Sequence, residues 1–537
     1  MSMFYCFNQL FRYLLKNRRD SFSRGRIVVM IGFTVMLSWA STGVCVGKEK
    51  PVRPNILFIY TDDHSYRTVN SYPEAYDWVR TPNIDSLARR GVQFSYAYIG
   101  TWCMASRASL LTGHQPYGVE SMRMEGEYPG STYDPGQSPF WPKVFRENGY
   151  VTAQIGKWHT GTDTGFGRDW DHQIVWNRPA YPENSRNYYY DQLITINGGE
   201  TKLVKGYSTD NYTRWALDFI RERHRNPEKP WYLWLCYGAV HGPFTPADRH
   251  LKAYSEAKVP VPADIYPPRP GKPEYMQHVE QWIKGEDGQP VGNGSNCNGR
   301  PLESAVQQYH EGVLAIDEGV GRIMKLLKET NQLRNTLVVF TSDQGFAWGQ
   351  HGFCKKLAPY DATIRSPLIV SMPGTIPQGV VCETAVGGVD LVPTFFRFAG
   401  IKLPWKMHGN DLTSLLQNPK SNWDHSVLVA LTGMKYGSET DRVPTNPKDL
   451  YMGSVPGRVP WWISLRQGRY KYIRTLIEGE IEELYDLELD PEELRNLALE
   501  QKFAGMLRKF RKATIIELHR TDAGMADHLP AVKELFY

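Results

Sequence analysis

The chain has 537 residues, 41% of them hydrophobic and 22% charged, with 62 Lys and Arg against 57 Asp and Glu. That size and apolar content exclude a disordered or minimal-domain protein and allow a large buried core. The formal net charge of +5 is matched by Arg12, Lys16, Arg18, Arg19, Arg24 and Arg26 set against Asp20, so the remainder is nearly neutral and global charge excludes nucleic-acid binding.

The first predicted element is that basic start together with the apolar run IVVMIGFTVMLSWA over Ile27–Ala40. A basic stretch, a short apolar run and small residues after it form a secretory signal. Residues 1–40 are therefore expected to be a signal peptide, and the protein to be periplasmic or secreted. A membrane anchor is the alternative, but the run is shorter than the ~18 residues of a spanning helix, so no stable membrane insertion is expected. Cys45 lacks the Leu and small-residue context of a lipoprotein.

Four short apolar runs then end in residues of catalytic type. NILFIYTDD (Asn55–Asp63) ends in Asp62 and Asp63, and VTAQIGKWH (Val151–His159) in Lys157 and His159. WYLWLCYGAVH (Trp231–His241) ends in His241, and TLVVFTSDQG (Thr336–Gly345) in Asp343 and Gln344. Between the last two lies a stretch with apolar residues at helical spacing, Glu303–Glu329. Strands alternating with helices predict an α/β fold with a mainly parallel sheet covered on both faces. Ligands of such sheets bind at the carboxyl ends of the strands, so the four ends are expected to meet at one site.

Asp62, Asp63, Asp343 and Gln344 offer hard oxygen ligands suited to Ca²⁺ or Mg²⁺. A divalent ion beside Lys157, Lys356 and Arg107 makes a positive pocket for a tetrahedral oxyanion, sulfate or phosphate. Histidines nearby can move protons. No Gly-rich phosphate loop is present, which argues against a nucleotide-dependent enzyme.

The stretch CMASRASLLTG from Cys103 resembles the signature of type I, formylglycine-dependent sulfatases of the alkaline phosphatase superfamily: Cys-x-Pro/Ala-Ser-Arg and then Leu-Thr-Gly. Position 105 is Ala, which that family tolerates. The resemblance implies that Cys103 is oxidised to formylglycine (3-oxoalanine) by a formylglycine-generating or anaerobic sulfatase-maturating enzyme. One hydroxyl of its hydrated aldehyde then attacks sulfur, and loss of a proton from the other releases sulfate. A buried structural Cys and a thiolate nucleophile are the alternatives; the latter needs a nearby base and risks oxidation outside the cytoplasm.

Other segments resemble the same family: TPNIDSLARRGVQF before the signature, GKWH, HGPF, HGFCKKLAPYDATIRSPLIV, VDLVPTFFRFAGI and ELYDLELDPEELRNLA. The resemblance gives Lys157 and Lys356 to sulfate binding, with Lys355 as the neighbour. It gives His159 to contact with formylglycine and His241 to protonation of the leaving oxygen. Asp62, Asp63, Asp343 and Gln344 would hold calcium, in preference to Mg²⁺, with modified Cys103, although Asn or His is commoner at position 344. Catalytic work would thus fall to Cys103, Arg107, Lys157, His159, His241 and Lys356, on a sulfated small molecule or polysaccharide. A phosphodiesterase or phosphonate hydrolase on the same scaffold, or an inactive sulfated-glycan binder, remain alternatives.

The implied fold is alkaline-phosphatase-like: a large mixed sheet sandwiched by helices, at residues 51–416, then a smaller antiparallel-sheet domain at 417–537. There RYKYIRTLIEGEIEELYDLEL reads as two strands around a turn and KFAGMLRKFRKATIIELH as a closing helix. Pro260–Pro301, rich in Pro, Gly and polar residues, is expected to be a surface loop. Cys236, Cys297, Cys354 and Cys382 are candidates for disulfides whose pairing stays open, and without a CxxC no zinc site is expected.

Overall fold

Apolar runs of six or seven residues, too short for core helices and rich in Ile, Val, Phe, Trp and Tyr, settle as the central strands of one sheet. The computed structural model describes residues 53–121, 123–124 and 131–535; the expected signal peptide, Cys6 and Cys45 lie outside the described residues. The strands are β1 (Asn55–Thr61), β2 (Val92–Tyr98), β3 (Val151–Lys157), β4 (His172–Trp176), β5 (Tyr190–Ile196), β6 (Thr201–Tyr207), β7 (Trp231–Cys236), β8 (Thr336–Ser342), β9 (Arg365–Ser371) and β10 (Val380–Cys382). Their order across the sheet is β10-β2-β9-β8-β1-β7-β3-β4-β5-β6.

The five central strands, β8, β1, β7, β3 and β4, run parallel. Antiparallel pairs flank them on both sides, β8 with β9 and β4 with β5, so the sheet is mixed. The register is what makes a site: Thr61 lies opposite Ser342, and Tyr60 opposite Cys236, which is opposite Gly156. Asp62, Asp343 and Lys157 therefore leave the sheet at one level, and the turn carrying His241 follows Cys236. Two backbone bonds, Asp62 N to Ala239 O (3.0 Å) and Val240 N to Asp62 O (2.7 Å), fasten that turn to the end of β1.

Alternation sends side chains of one strand into two cores. Ile56, Phe58 and Tyr60 of β1 face one core, Leu57 and Ile59 the other. Helices α2 (Cys103–Thr112) and α5 (Leu391–Ala399) cover the first face. The second is covered by α1 (Pro82–Ala88), α3 (Ser208–Arg225) and α4 (Leu302–Glu329). A separate antiparallel sheet of β11 (Val427–Leu431), β12 (Trp462–Gln467), β13 (Tyr470–Thr475) and β14 (Glu482–Asp486) packs on α6 (Ala504–Arg520) through Leu428, Ile463, Leu484, Leu507, Phe510 and Leu518.

Residues 260–301 are not the plain surface loop expected. They form a short hairpin, Trp282–Lys284 with Pro290–Gly292, and bury Arg269, Lys272, Met276 and Trp282. The Arg269 guanidinium donates to the carbonyls of Asp264, Ile265, Met276 and Val279, which satisfies a buried cation without a carboxylate. A disulfide joins Cys297 in this segment to Cys354, while Cys236 and Cys382 are free thiols. Among the described residues no helix is long and apolar enough to cross a membrane.

Candidate active site

Cys103 is the first residue of α2, a helix buried on every side that ends at Gly113 in the left-handed conformation (φ 78°). Four residues on, and so on the same helical face, Arg107 points into the same region, its guanidinium over the Tyr60 ring at 5.0 Å. Arg107 Nη2 donates to Asp343 Oδ2 (3.3 Å) and Nη1 to the Lys157 carbonyl (3.1 Å). One buried arginine thus ties the helix to the ends of β8 and β3.

Three carboxylates meet three cations here, all of them buried or nearly so. Asp62 pairs with Lys157, Asp63 with Lys356 (2.6 Å) and Asp343 with Arg107. Lys356 also donates to Cys103 Sγ (2.9 Å), which lies 4.0 Å from Asp63 Oδ1. The Asp63 backbone N–H donates to Asp343 Oδ1 (2.9 Å), and Gln344 Nε2 donates to Asp63 Oδ1. Asp63 itself takes φ 54°, and the Tyr309 hydroxyl holds its carbonyl from α4 while accepting from Ser65 N (3.0 Å). Ligand atoms of Asp62, Cys103 and Asp343 lie within 4.8 Å of one another.

The electrostatics follow from burial and pairing. Burial opposes charge on Asp62, but Lys157, then His241 and Lys356, hold it well below the usual carboxylate range. Burial and the charge of Asp62 hold Asp343 well above it. Burial pushes the Cys103 thiol up to about 12, so an unmodified Cys103 is a neutral thiol and the thiolate reading loses its nucleophile. Burial lowers the proton affinity of Lys356, yet the Asp63 and Asp62 carboxylates raise it further and keep the ammonium charged.

The donor set fits a hard divalent cation. Asp62 Oδ1, Asp63 Oδ2 and Gln344 Oε1 are buried with no hydrogen-bond partner among the described residues. Leaving three such acceptors orphaned is costly, and a cation that prefers oxygen ligands satisfies them together. A bound dication would favour ionisation of all three carboxylates; these then cancel the three cations, and the ion's own charge leaves the pocket positive, as an anionic ester requires. Gln344 thus reaches the cluster on its longer arm.

His241 stands at the rim, its Nε2 3.8 Å from Asp63 Oδ2. Its Nδ1 donates to the Gly242 carbonyl (2.8 Å), which fixes the tautomer and leaves Nε2 as the atom that exchanges a proton. Burial and then Lys356 hold it well below the usual imidazole range; an arriving anion works the other way. His159 is buried two residues past Lys157, at φ 57°, and is kept neutral by burial and then by Lys157 and Arg178.

Every residue expected at the site from the four strand ends, with Cys103, Arg107 and Lys356, is in this neighbourhood. Sequence reasoning missed Tyr188, Arg178 and Tyr309. Tyr188 lies parallel to the His241 ring at 4.1 Å and 6°; its place in the run Tyr188-Tyr189-Tyr190 is the one sequence signal that pointed to it.

A mixed sheet sandwiched by helices carries an acidic cradle and a ring of cations at its strand ends, an arrangement suited to esters of tetrahedral oxyanions. Residues 54–401 match the family model described as Sulfatase. The chain belongs to the Sulfatase family and is a sulfatase. It is similar to an N-acetylglucosamine-6-O-sulfatase of Bacteroides thetaiotaomicron, 27% identical across 91% of this chain and 89% of that protein. A solved structure in complex with its substrate D-glucosamine-2-N,6-O-disulfate shares the fold at TM-score 0.73, with 24% identity, over 88% of this chain and 98% of that one. The phosphonate monoester hydrolase of Agrobacterium radiobacter shares it at TM-score 0.63 and 21% identity, over 87% and 96%.

Proposed function

We propose that this sulfatase hydrolyses a sulfate ester of a carbohydrate, with N-acetylglucosamine-6-sulfate as the first substrate to try, using formylglycine made from Cys103 and one bound Ca²⁺. The observation that carries this reading is Cys103 itself: a buried residue at a helix start, held by Lys356 and facing Asp63, within a cluster whose orphaned oxygens call for a cation. The relative that acts on N-acetylglucosamine-6-O-sulfate supports the substrate class. Maturation by a formylglycine-generating or anaerobic sulfatase-maturating enzyme is part of the proposal. So is export to the periplasm or beyond, which the Cys297–Cys354 disulfide supports.

Asp62, Asp63, Asp343 and Gln344 would hold the calcium ion, with modified Cys103 as a further ligand. When bound, the ion supplies fixed positive charge to the sulfate oxygens, and formylglycine supplies a hydrated aldehyde as nucleophile. The chain's own residues do the rest. Lys157 and Lys356 neutralise the sulfate oxygens in a buried site where charge is weakly screened. Arg107 holds Asp343 and the end of β3 in register, and His159 lines the same pocket. His241 gives a proton from Nε2 to the departing sugar oxygen, which as an alkoxide leaves poorly without one.

The shared fold of a phosphonate hydrolase means that the anion must be tested directly. Steady-state kcat/KM on matched nitrophenyl sulfate and nitrophenyl phosphate, and on N-acetylglucosamine-6-sulfate, does so. The sulfate esters should be preferred, with the sugar turned over. A preference for the phosphate or phosphonate ester would overturn the assignment, and tight glycan binding without turnover by protein carrying formylglycine would favour a binder.

A further inference from the structure

We infer that Tyr188 is a positioning residue for His241: its stacked ring sets the imidazole plane so that Nε2 addresses the leaving oxygen. This deepens the reading of His241 as the general acid and rests on it. The imidazole is gripped at two points. Its Nδ1–H is committed to the Gly242 carbonyl at 2.8 Å. Its face lies on the Tyr188 ring, 4.1 Å between centroids and 6° from parallel. The Tyr188 hydroxyl, 3.4 Å from Nε2, therefore sits over the imidazole face and leaves the in-plane lone pair of Nε2 open to the substrate. The Tyr189 hydroxyl donates to the His241 carbonyl, so adjacent tyrosines hold its ring and its backbone.

Tyr188 is in turn held rigidly. It is 3% exposed and packs edge-on against Trp176 at 4.6 Å. Arg178 Nη1 donates to its hydroxyl. The Arg178 guanidinium and the Lys157 ammonium each lie 5.2 Å from the ring centroid, favourable for an electron-rich ring face. The same tyrosine therefore borders the lysine proposed for sulfate and the histidine proposed for the leaving group. Nε2 takes a proton from solvent, and when the imidazolium donates it to the alkoxide the N–H bond breaks and the sugar O–H bond forms. A ring free to rotate about its side-chain bonds would lose the ~3 Å reach that proton transfer needs.

The test pairs N-acetylglucosamine-6-sulfate, a poor leaving group, with nitrophenyl sulfate, a good one, in calcium-loaded enzyme carrying formylglycine. Tyr188→Leu should lower kcat on the sugar sulfate roughly 10- to 100-fold, part of the ~10²–10⁴ of a general acid, with a much smaller loss on nitrophenyl sulfate, whose sulfate group still meets the Lys157 beside that ring. Tyr188→Phe, which keeps the stacked ring, should recover most of the loss. In a His241→Ala background Tyr188→Leu should cost nothing further on the sugar, since coupled residues are non-additive. Tyr188→Met serves in the same way if the Leu variant folds poorly. Equal loss on both substrates, or no loss on either, would overturn the inference while His241→Ala still discriminates between leaving groups. If His241→Ala does not discriminate, the general-acid reading falls and this inference with it.

Discussion

At the scale of single residues, the site is a set of buried charges that need one another. Removing one partner strands the other, and a buried uncompensated charge costs several kcal/mol. Asp63→Ala and Asp343→Ala should therefore abolish stoichiometric calcium by elemental analysis, whereas Gln344→Asn should retain it, because the amide oxygen survives on a shorter arm. Calcium retained at one equivalent in both aspartate variants would refute the cradle. Lys356→Ala should lose activity on nitrophenyl and sugar sulfates to a similar degree, on the order of 10²-fold or more as for other lost electrostatic stabilisers, since both carry the same sulfate. The sequence made Asp62, Asp63, Lys157, His159, His241, Asp343 and Gln344 legible because each ends or follows an apolar run, where polarity is conspicuous, whereas Arg107 and Lys356 were legible through the family resemblance. It did not reveal Tyr188 and Arg178, because the partner of Tyr188 is 53 residues away and aromatic residues pack cores everywhere in this chain.

At the scale of elements, two devices hold the strand ends to tolerance. Gly156, one residue before Lys157, takes φ 105°, and an added Cβ would come within 2.0 Å of the Cys236 carbonyl. Gly156→Ala must therefore push β3 from β7, separating the strands that deliver Lys157 and His241. It should lower the unfolding midpoint, by ~1–3 kcal/mol for the strained backbone alone, and depress kcat on both substrates. A variant of unchanged stability and activity would contradict the register argument. The second device is the Cys297–Cys354 disulfide, which closes a separation of 57 residues. Asn296 beside it packs on Gly242 in the His241 turn, and Cys354 is two residues from Lys356. By chain entropy the crosslink contributes about 4 kcal/mol. The double Cys→Ser variant should show a lower denaturant midpoint and a loss of activity that added calcium does not restore; an unchanged midpoint would refute its structural weight. The pairing was not legible in the sequence, because four cysteines allow several partners and the hairpin that brings these two together was read as an irregular loop.

At the scale of the whole molecule, alternation along β1 and β7 fills two cores and leaves the carboxyl edge of the sheet to chemistry. The central parallel strands, the paired strands of the small sheet and the closing helix were legible because strong periodicity and continuous apolar runs dominate local choice; that the large sheet is mixed was implied only by the family resemblance. The exact flanking strand order was not, since it depends on long-range pairing. Burial also sets a pH dependence. His408 is pushed down to about 3 and His310 to about 4, in both cases chiefly by burial. His408 Nδ1 accepts from Gln115 N (2.9 Å), a bond available only to the neutral ring. Both groups bind protons more weakly folded than unfolded. Their contribution is therefore full above the unfolded value near 6.5 and is lost as pH falls from there toward 3–4. Each group contributes a slope of about 1.4 kcal/mol per pH unit within that window. Buried Asp169, Asp317 and Asp390, each raised to about 6 chiefly by burial, pull the other way, so the test is a difference: the stability that His408 adds over His408→Asn should shrink between pH 6.5 and 5, and a difference independent of pH over that range would contradict the argument.

The chemistry of the site turns on what occupies position 103. Mass spectrometry of the peptide containing Cys103, from active enzyme produced with its maturation activity, tests this most directly. The peptide should be lighter than the cysteine peptide by the exchange of SH and one hydrogen for a carbonyl oxygen, and should react with a hydrazine probe for aldehydes. An intact thiol at Cys103 in enzyme that turns over sulfate esters would contradict the formylglycine reading.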